Sequence, residues 1–458
     1  MFKFETDSRR IKKGQTFIAL KGYTVDGHDY IDEAIKNGAS YIISEKDLNI
    51  PIPHQKVKNT HNYLKKILNN NYKEVIKDLK IIGITGTNGK TTSAYLTYQM
   101  LNKLGVKTAY IGTIGYYYNG EYLELDNTTP DILNIYKLLV HAQENNCKIV
   151  VMEVSAHSLS YDRLYGIKFS EIAFTNLTED HLDYYKNMKN YLNAKLLILN
   201  KLTRGAKIIV NIDDPAYTKF QKKNHKVLTI GLNGDYKLLE YKTHPNKTDL
   251  KFKYKKQIYN VTIPLTNTYN IYNYLTMLSL VNQLGFTIDS IIKYTNNLQA
   301  PKGRCEVYEI NNSFIIIDYA HTPDAVEKVI NAYSKIKKRQ IITIIGCGGN
   351  RDNKKRPIMG EIATKLSDYV IFTNDNPRTE DPNNIISDIL KGVKTNNYEV
   401  ILDRKKAINK GLNLLKKDDI LLLLGKGHET YQIIGNKKIH FSEAEEIKLF
   451  MQNSNKKL

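Results

Sequence analysis

Short apolar runs alternate with amphipathic stretches along most of the chain. The runs read as strands buried on both faces, and the stretches between them as helices. In residues 1–79 the strand-like runs are Phe17–Leu20 and Tyr41–Ser44. Between them lies the helix-like YIDEAIKNG, closed by Gly38, and a polar helix and connector follow over Asn59 to Leu79. A second stretch opens with the strand Ile81–Thr85, a glycine-rich turn, and a helix from Thr91 that stops at Gly105. Next come the strand KTAYIGT, a helix from Pro130 with Thr129 as its cap, and the strands KIVVME and IAFTNL. Lys195 falls in a helix over Asn190 to Leu199. Residues 236–263 alternate as short strands, and a helix over Tyr269 to Gln283 ends at Gly285.

From about Ala300 the alternation becomes regular. The strands FIIIDY, QIITII, YVIFT, EVILD and ILLLLG are followed by helices after Thr322, Pro357, Pro382, Arg404 and Ser442. This is the pattern of a doubly wound, mostly parallel sheet. The fold class expected is α/β in three domains: 1–79, 80–300 and 301–458. A chain of 458 residues fits that count at roughly 150 per domain.

Composition changes the picture little. The net charge of +20 invites a nucleic-acid reading, but only ten of the 67 basic residues are arginine, and the lysines are spread along the chain. Lysine, asparagine, isoleucine and tyrosine are favoured together, as drift towards A/T-rich codons produces. Nucleic-acid binding is therefore not expected. Three scattered cysteines, Cys147, Cys305 and Cys347, with no CxxC pair, exclude a disulfide framework and a zinc ribbon. The N-terminal MFKFETDSRR has no apolar signal core. No apolar run approaches the ~20 residues needed to span a bilayer. These features lead to the expectation of a cytoplasmic protein without membrane insertion; a monomer acting on small molecules is expected as well.

The strongest local feature is IIGITGTNGKTT. An apolar strand delivers a glycine-rich loop, and Lys90 and Thr91 open a helix. Backbone N–H groups of such a loop bind phosphate, the lysine neutralises phosphate charge, and the threonine hydroxyl suits Mg²⁺. The strict phosphate-loop pattern wants glycine where Ile84 stands, flanked here by Gly83 and Gly86. Glu153 ends an apolar strand, where a carboxylate reaches a metal at the sheet edge. His157, His181 and Lys195 are individually unremarkable residue types. In the last third, Asp318 with His321, Arg351, Asn376 with Arg378, and Gly425 with Glu429 all follow strands. Arginines on such loops suit a carboxylate-bearing ligand gripped bidentately.

Taken together, DSRR, TGTNGKT, NTTPD, MEVSAHSL, FTNLTEDHLDYY, NAKLLIL, GRCEV, DYAHTPDA, GCGGNRD, DNPRTEDP and GKGHE occur in the order found in the Mur ligases. The chain resembles that family over nearly its whole length, and most closely the branch that adds the third residue of the peptidoglycan stem peptide. The resemblance implies a small N-terminal UDP-binding domain, a central P-loop ATPase-like domain and a C-terminal Rossmann-like domain. It implies an ATP-dependent ligase joining an amino acid to the D-Glu γ-carboxylate of UDP-MurNAc-L-Ala-D-Glu through an acyl phosphate, with ATP and Mg²⁺.

By the same resemblance, Gly86, Thr87, Asn88, Gly89, Lys90, Thr91, Thr92, Asn270, Asn273, Arg304 and Asp318 would bind ATP. Ser8, Thr128, Thr129, Ser155 and Arg163 would hold the nucleotide–dipeptide. Lys90, Glu153, His181 and Lys195 would be catalytic, and Thr91, Glu153, His181 and Lys195 would face the metal. Lys195 matches the family lysine that becomes a carbamate (N6-carboxylysine). Arg351, Asn376, Arg378, Gly425 and Glu429 match the positions that bind the incoming amino acid. The DNPR form of the motif resembles the branch that uses meso-2,6-diaminopimelate, whose second carboxylate Arg378 can fork. The alternatives are an L-lysine-adding ligase, another Mur or folylpolyglutamate-type ligase, and a non-catalytic homologue. Three departures stand out. DSRR lies nearer the first residue than in the family, implying a shortened N-terminal domain. A customary glycine is Asn267, and a frequent glutamine is Tyr161.

Overall fold

The computed structural model describes residues 2–22 and 25–455. The chain divides into two compact units. One comprises Met1–Lys90, Leu101–Val210 and Asp214–Leu228; the other comprises Thr91–Met100, Asn211–Asp213 and Thr229–Leu458.

The first unit begins with a parallel four-stranded sheet, Phe4–Glu5, Thr16–Ile18, Tyr41–Ser44 and His54–Lys56, in chain order. Phe17 and Ile42 pack on one of its faces with Ile31 and Ala34, while Phe4, Ile18 and Ile43 join the larger core around Leu64, Leu139 and Met152. This split by alternate residues is the period-2 signature of a strand buried on both sides. In the larger sheet, Lys80–Thr85 lies between Ile149–Glu153 and Phe169–Phe174, all parallel. Thr108–Gly112 lies beyond Ile149–Glu153 and continues into the hairpin Gly115–Tyr118 and Glu121–Leu123. Strand order therefore reverses beside Lys80–Thr85, the place where open α/β sheets bind ligands.

The helix expected from Pro130 is Ile132–Glu144, and its cap is Asp131, whose carboxylate accepts from Asn134 N at 3.0 Å. Thr129 is therefore not the cap; its hydroxyl donates to the Glu153 carbonyl at 2.9 Å. Lys195 lies in the helix Met188–Leu196, which tightens into a 3₁₀ turn over Leu197–Lys201.

In the second unit Tyr236–Thr243, Thr248–Tyr254 and Gln257–Ile263 form an antiparallel meander, followed by helices Thr268–Gln283 and Ile288–Thr295. A six-stranded sheet follows, in the order Glu306–Ile310, Ser313–Asp318, Ile420–Leu424, Ile341–Ile345, Tyr369–Phe372, Tyr398–Val400. Only the first pair is antiparallel. Leu422 and Leu424 face helices Pro323–Ser334, Lys355–Leu366 and Pro382–Leu390; Leu421 and Leu423 face Arg404–Leu414 and Glu443–Asn455. The sheet is thus doubly wound. The helix expected after Pro357 begins two residues earlier, at Lys355. Arg404 and Glu443, both fully buried, pair at 2.8 Å, and Arg404 also donates to the carbonyls of Asn374 and Leu424. All three cysteines are buried and free of disulfides. Among the described residues no helix is long and apolar enough to cross a membrane.

Candidate active site

In the first unit the glycine-rich loop runs from the end of Lys80–Thr85 to Lys90. Gly86 has φ +145°, and a Cβ there would lie 1.9 Å from Thr175 Oγ1, so the position demands glycine. The loop is laced to the segment after the neighbouring strand. Thr87 N donates to the Asn176 carbonyl at 2.8 Å, Asn88 N to Asn176 Oδ1 at 2.9 Å, and Thr175 Oγ1 to the Asn88 carbonyl at 2.6 Å. Thr178 bonds both Thr87 and Asn88. This bracing spends the N–H groups of Thr87 and Asn88 and keeps the rest of the loop backbone in place before a phosphate arrives.

Two lysines meet on that loop. Lys90 Nζ donates to the carbonyls of Gly86 and Thr87 at 2.9 and 2.6 Å, and Lys195 Nζ donates to the Gly86 carbonyl at 2.7 Å. Lys195 is fully buried, and its ammonium lies 4.2 Å from the Tyr191 ring centroid. Burial, reinforced by the charge of Lys90, holds its pKa well below the ordinary 10.5. A neutral amine is the form that adds CO₂.

Glu153 is fully buried. Its Oε1 accepts from Tyr110 Oη at 2.5 Å and Thr113 N at 2.8 Å, and its Oε2 from Thr113 Oγ1 at 3.1 Å. Thr113 also bonds Thr128 at 2.9 Å. Ser155 N donates to Thr129 Oγ1 at 3.1 Å, and Arg163 Nη1 to the Thr129 carbonyl at 2.9 Å. Thr128, Thr129, Glu153, Ser155 and Arg163 are therefore one connected group. Tyr110 and Thr113, which complete it, carry no sequence signal of their own.

His181 has φ +55° and a half-exposed side chain, with its ring 4.8 Å from that of His157 and 6.0 Å from that of Tyr191. Lys195 and His181 thus flank Tyr191. Ser8 joins neither group; it is buried and donates to Glu33 Oε2 at 2.6 Å. Among the described residues no three His, Cys, Asp or Glu side chains cluster to hold a metal. A magnesium ion needs no such cage, because it keeps water and phosphate oxygens and takes only one or two protein carboxylates. Within the first unit the carboxylate of Glu153 fits that chemistry, and a carbamate on Lys195 would add a second carboxylate-like group.

In the second unit Thr91 and Thr92 are buried in the first turn of their helix. Ser93 Oγ donates to Asn273 Oδ1 at 3.2 Å, Asn273 Nδ2 to Asn270 Oδ1 at 2.9 Å, and Asn270 Nδ2 to the Thr266 carbonyl at 2.8 Å. The Arg304 guanidinium lies over the Tyr319 ring at 4.7 Å. Asp318 accepts from Cys305 N at 2.8 Å, and burial raises its pKa against the opposing charge of Arg304.

The strand-end loops converge beyond Asp318. Gly425 N donates to the Asp318 carbonyl at 3.1 Å. Asn376 Nδ2 donates to Glu429 Oε2 at 2.8 Å, and the fully buried Lys426 reaches Glu429 at 2.9 Å and Asn376 Oδ1 at 3.2 Å. Arg378, at φ +54°, donates to the Gly349 carbonyl at 2.7 Å. Arg351 and Arg378 flank Gly348, where a Cβ would lie 3.7 Å from Arg351 Cγ and 3.1 Å from Arg378 Nη1. The five residues expected around the amino acid are together. Lys426, inside GKGHE, is the member that sequence reasoning passed over.

The class of protein, an ATP-dependent ligase of the Mur type, follows from comparison with known families. Three family models match in order: the Mur ligase family catalytic domain over 4–79, the Mur ligase middle domain over 84–281, and the Mur ligase glutamate ligase domain over 303–427. The chain belongs to the Mur ligase family. It is similar to UDP-N-acetylmuramoyl-L-alanyl-D-glutamate--2,6-diaminopimelate ligase 1 of Clostridium acetobutylicum, at 41 % identity over 97 % of this chain and 94 % of the relative. The ligase of the same name from Fusobacterium nucleatum is also 41 % identical, over 96 % and 92 %. A solved structure of such a ligase superposes with TM-score 0.70 at 28 % identity, covering 99 % of this chain and 95 % of the other.

Proposed function

We propose that the chain is the ATP-dependent ligase that joins meso-2,6-diaminopimelate to the D-Glu γ-carboxylate of UDP-MurNAc-L-Ala-D-Glu, releasing ADP and phosphate. The observation that carries the choice of amino acid is the meeting of Arg351, Arg378, Asn376 and the Lys426–Glu429 pair. Diaminopimelate carries at its far end both a carboxylate, for a guanidinium to fork, and an ammonium, for Glu429 to accept. Lysine offers only the ammonium. The relatives that carry this activity in their names match over 96–97 % of this chain and 92–94 % of their own.

A carboxylate is a poor acyl donor, and its attack on a triphosphate brings like charges together. The N–H groups of Gly86, Gly89 and Lys90 would hold the phosphates, with Thr87 and Asn88, whose own N–H groups are spent on Asn176, fixing the loop's shape around ATP, and Lys90, released from the loop carbonyls, would neutralise the γ-phosphate. Thr91, Glu153, His181 and a carbamylated Lys195 would hold Mg²⁺, which screens phosphate charge. Asn270, Asn273, Arg304 and Asp318 would bind the rest of ATP. Ser8 would hold the uridine end, while Thr128, Thr129, Ser155 and Arg163 would orient the dipeptide so that its γ-carboxylate attacks. Tyr110 and Thr113 hold the Glu153 carboxylate fixed in direction. The C-terminal loops would then present the amine to the acyl phosphate. On this reading the domains are 1–79, 80–300 and 301–458, and the enzyme works as a cytoplasmic monomer.

Phosphate release tests the proposal. Release requiring both the UDP-linked dipeptide and diaminopimelate supports it; release with L-lysine and none with diaminopimelate overturns it.

A further inference from the structure

The turn Tyr161-Asp162-Arg163 is built in an uncommon way. Asp162 has φ +49°, and two lysines hold its carboxylate, Lys65 and Lys201, each at 3.0 Å. Burial of that carboxyl is outweighed by these two cations, which hold its pKa below the ordinary carboxylate range. The pinned corner turns its two neighbours onto each other. The Arg163 guanidinium stands over the Tyr161 ring, 5.5 Å from the centroid. Two further aromatic groups lie against that ring, Tyr184 at 5.8 Å edge-on and His157 at 6.0 Å. Arg163 Nη1 is spent on the Thr129 carbonyl. Its remaining N–H donors have no acceptor among the described residues, so the guanidinium is presented rather than consumed.

We infer that Tyr161 is the positioning residue for Arg163. It clamps the guanidinium by a cation–π contact, and Arg163 then grips an anionic group of the nucleotide–dipeptide. The inference rests on the ligase reading for the identity of that ligand. A long, flexible arginine with one hydrogen bond samples many rotamers; a face-on aromatic ring removes most of them before the ligand binds. Only the ring is needed, not the hydroxyl. Leucine fills a similar space without a quadrupole and does not substitute.

The test is titration calorimetry of full-length protein with UDP-MurNAc-L-Ala-D-Glu, with turnover recorded alongside. Tyr161→Leu is expected to raise the Kd, and the KM for this substrate, about three- to tenfold, with kcat and the KM for ATP within twofold. Tyr161→Phe is expected to stay within twofold of the parent on every constant. In an Arg163→Ala background, Tyr161→Leu is expected to add nothing. A Tyr161→Leu Kd equal to the parent's, a Phe variant as weak as the Leu variant, or an unchanged Leu effect without Arg163 each overturns the clamp. Parent protein that binds the nucleotide–dipeptide but turns nothing over with any amino acid refutes the ligase reading, while the ratio of Kd values still decides the clamp.

Discussion

Asn267 offers a prediction whose sign is set by backbone geometry. It precedes the helix Thr268–Gln283 with φ +75° and ψ +144°, a region that essentially only glycine occupies without strain. Strain of this kind costs about 1–3 kcal/mol. Its Oδ1 is buried with no partner, a penalty of about 1–3 kcal/mol. Against this, Nδ2 donates to Tyr269 Oη at 2.7 Å and to Cys305 Sγ at 3.3 Å, together about 1 kcal/mol net. Asn267→Ala loses the bonds and keeps the strain. Asn267→Gly loses the same bonds, relieves the strain, and gives up roughly 0.5–1 kcal/mol of chain entropy. The glycine variant should therefore exceed the alanine variant by about 1–2 kcal/mol. Thermal unfolding of the two proteins side by side measures it, at roughly 2–4 °C per kcal/mol. An alanine variant as stable as the glycine variant, or more so, refutes the assignment of strain to this residue.

Other outcomes follow from the buried charges and the loops. Burial pushes Glu171 up to about 8, with Lys207 offsetting only part of it. The folded state then holds a proton that the unfolded state releases near 4.5, so stability falls as pH rises from about 4.5 to 8. Glu171→Gln should flatten that fall, which denaturant titrations at about pH 5 and pH 8 would register. Lys195 is the opposite case. Its folded pKa is depressed, so the unfolded state binds the extra proton and stability rises with pH up to about 10.5. In CO₂-free buffer Lys195→Met should abolish this rise, and in bicarbonate it should abolish phosphate release. Arg378→Lys should raise the KM for diaminopimelate about tenfold or more, because an ammonium cannot fork a carboxylate; an unchanged KM would remove Arg378 from the amino-acid site.

The strands and the phosphate loop were legible because their causes are local. Ile81–Thr85 is uniformly buried, and Gly86 and Gly89 mark the positive-φ corners. The doubly wound sheet was equally plain, since Leu421 to Leu424 alternate between two helical layers. What the sequence hid was pairing at long range. Tyr110 and Thr113 meet Glu153 only because their strand lies beside Ile149–Glu153 in the sheet. Lys426 pairs locally with Glu429, but its other partner, Asn376, comes from a strand-end loop 50 residues away. The helix at Ile132 shows a local misreading, where two nearby capping types competed and Asp131 won by standing one residue from the first turn.

The strand order of the C-terminal sheet bears on how the chain is made. Ser313–Asp318 and Ile341–Ile345 do not pair with each other; each pairs with Ile420–Leu424. The central strand is thus made after both of its neighbours, and the Arg404–Glu443 pair that closes the far face comes later still. Translation that stops at residue 415 yields two half-sheets with a missing middle, each exposing a row of unpaired isoleucine backbone. The loops carrying Arg351, Asn376 and Arg378 have no frame until Gly425 has been synthesised. The proposed amino-acid site is therefore assembled only after Ile420–Leu424 has emerged, in a domain that the nascent chain cannot fold piecemeal.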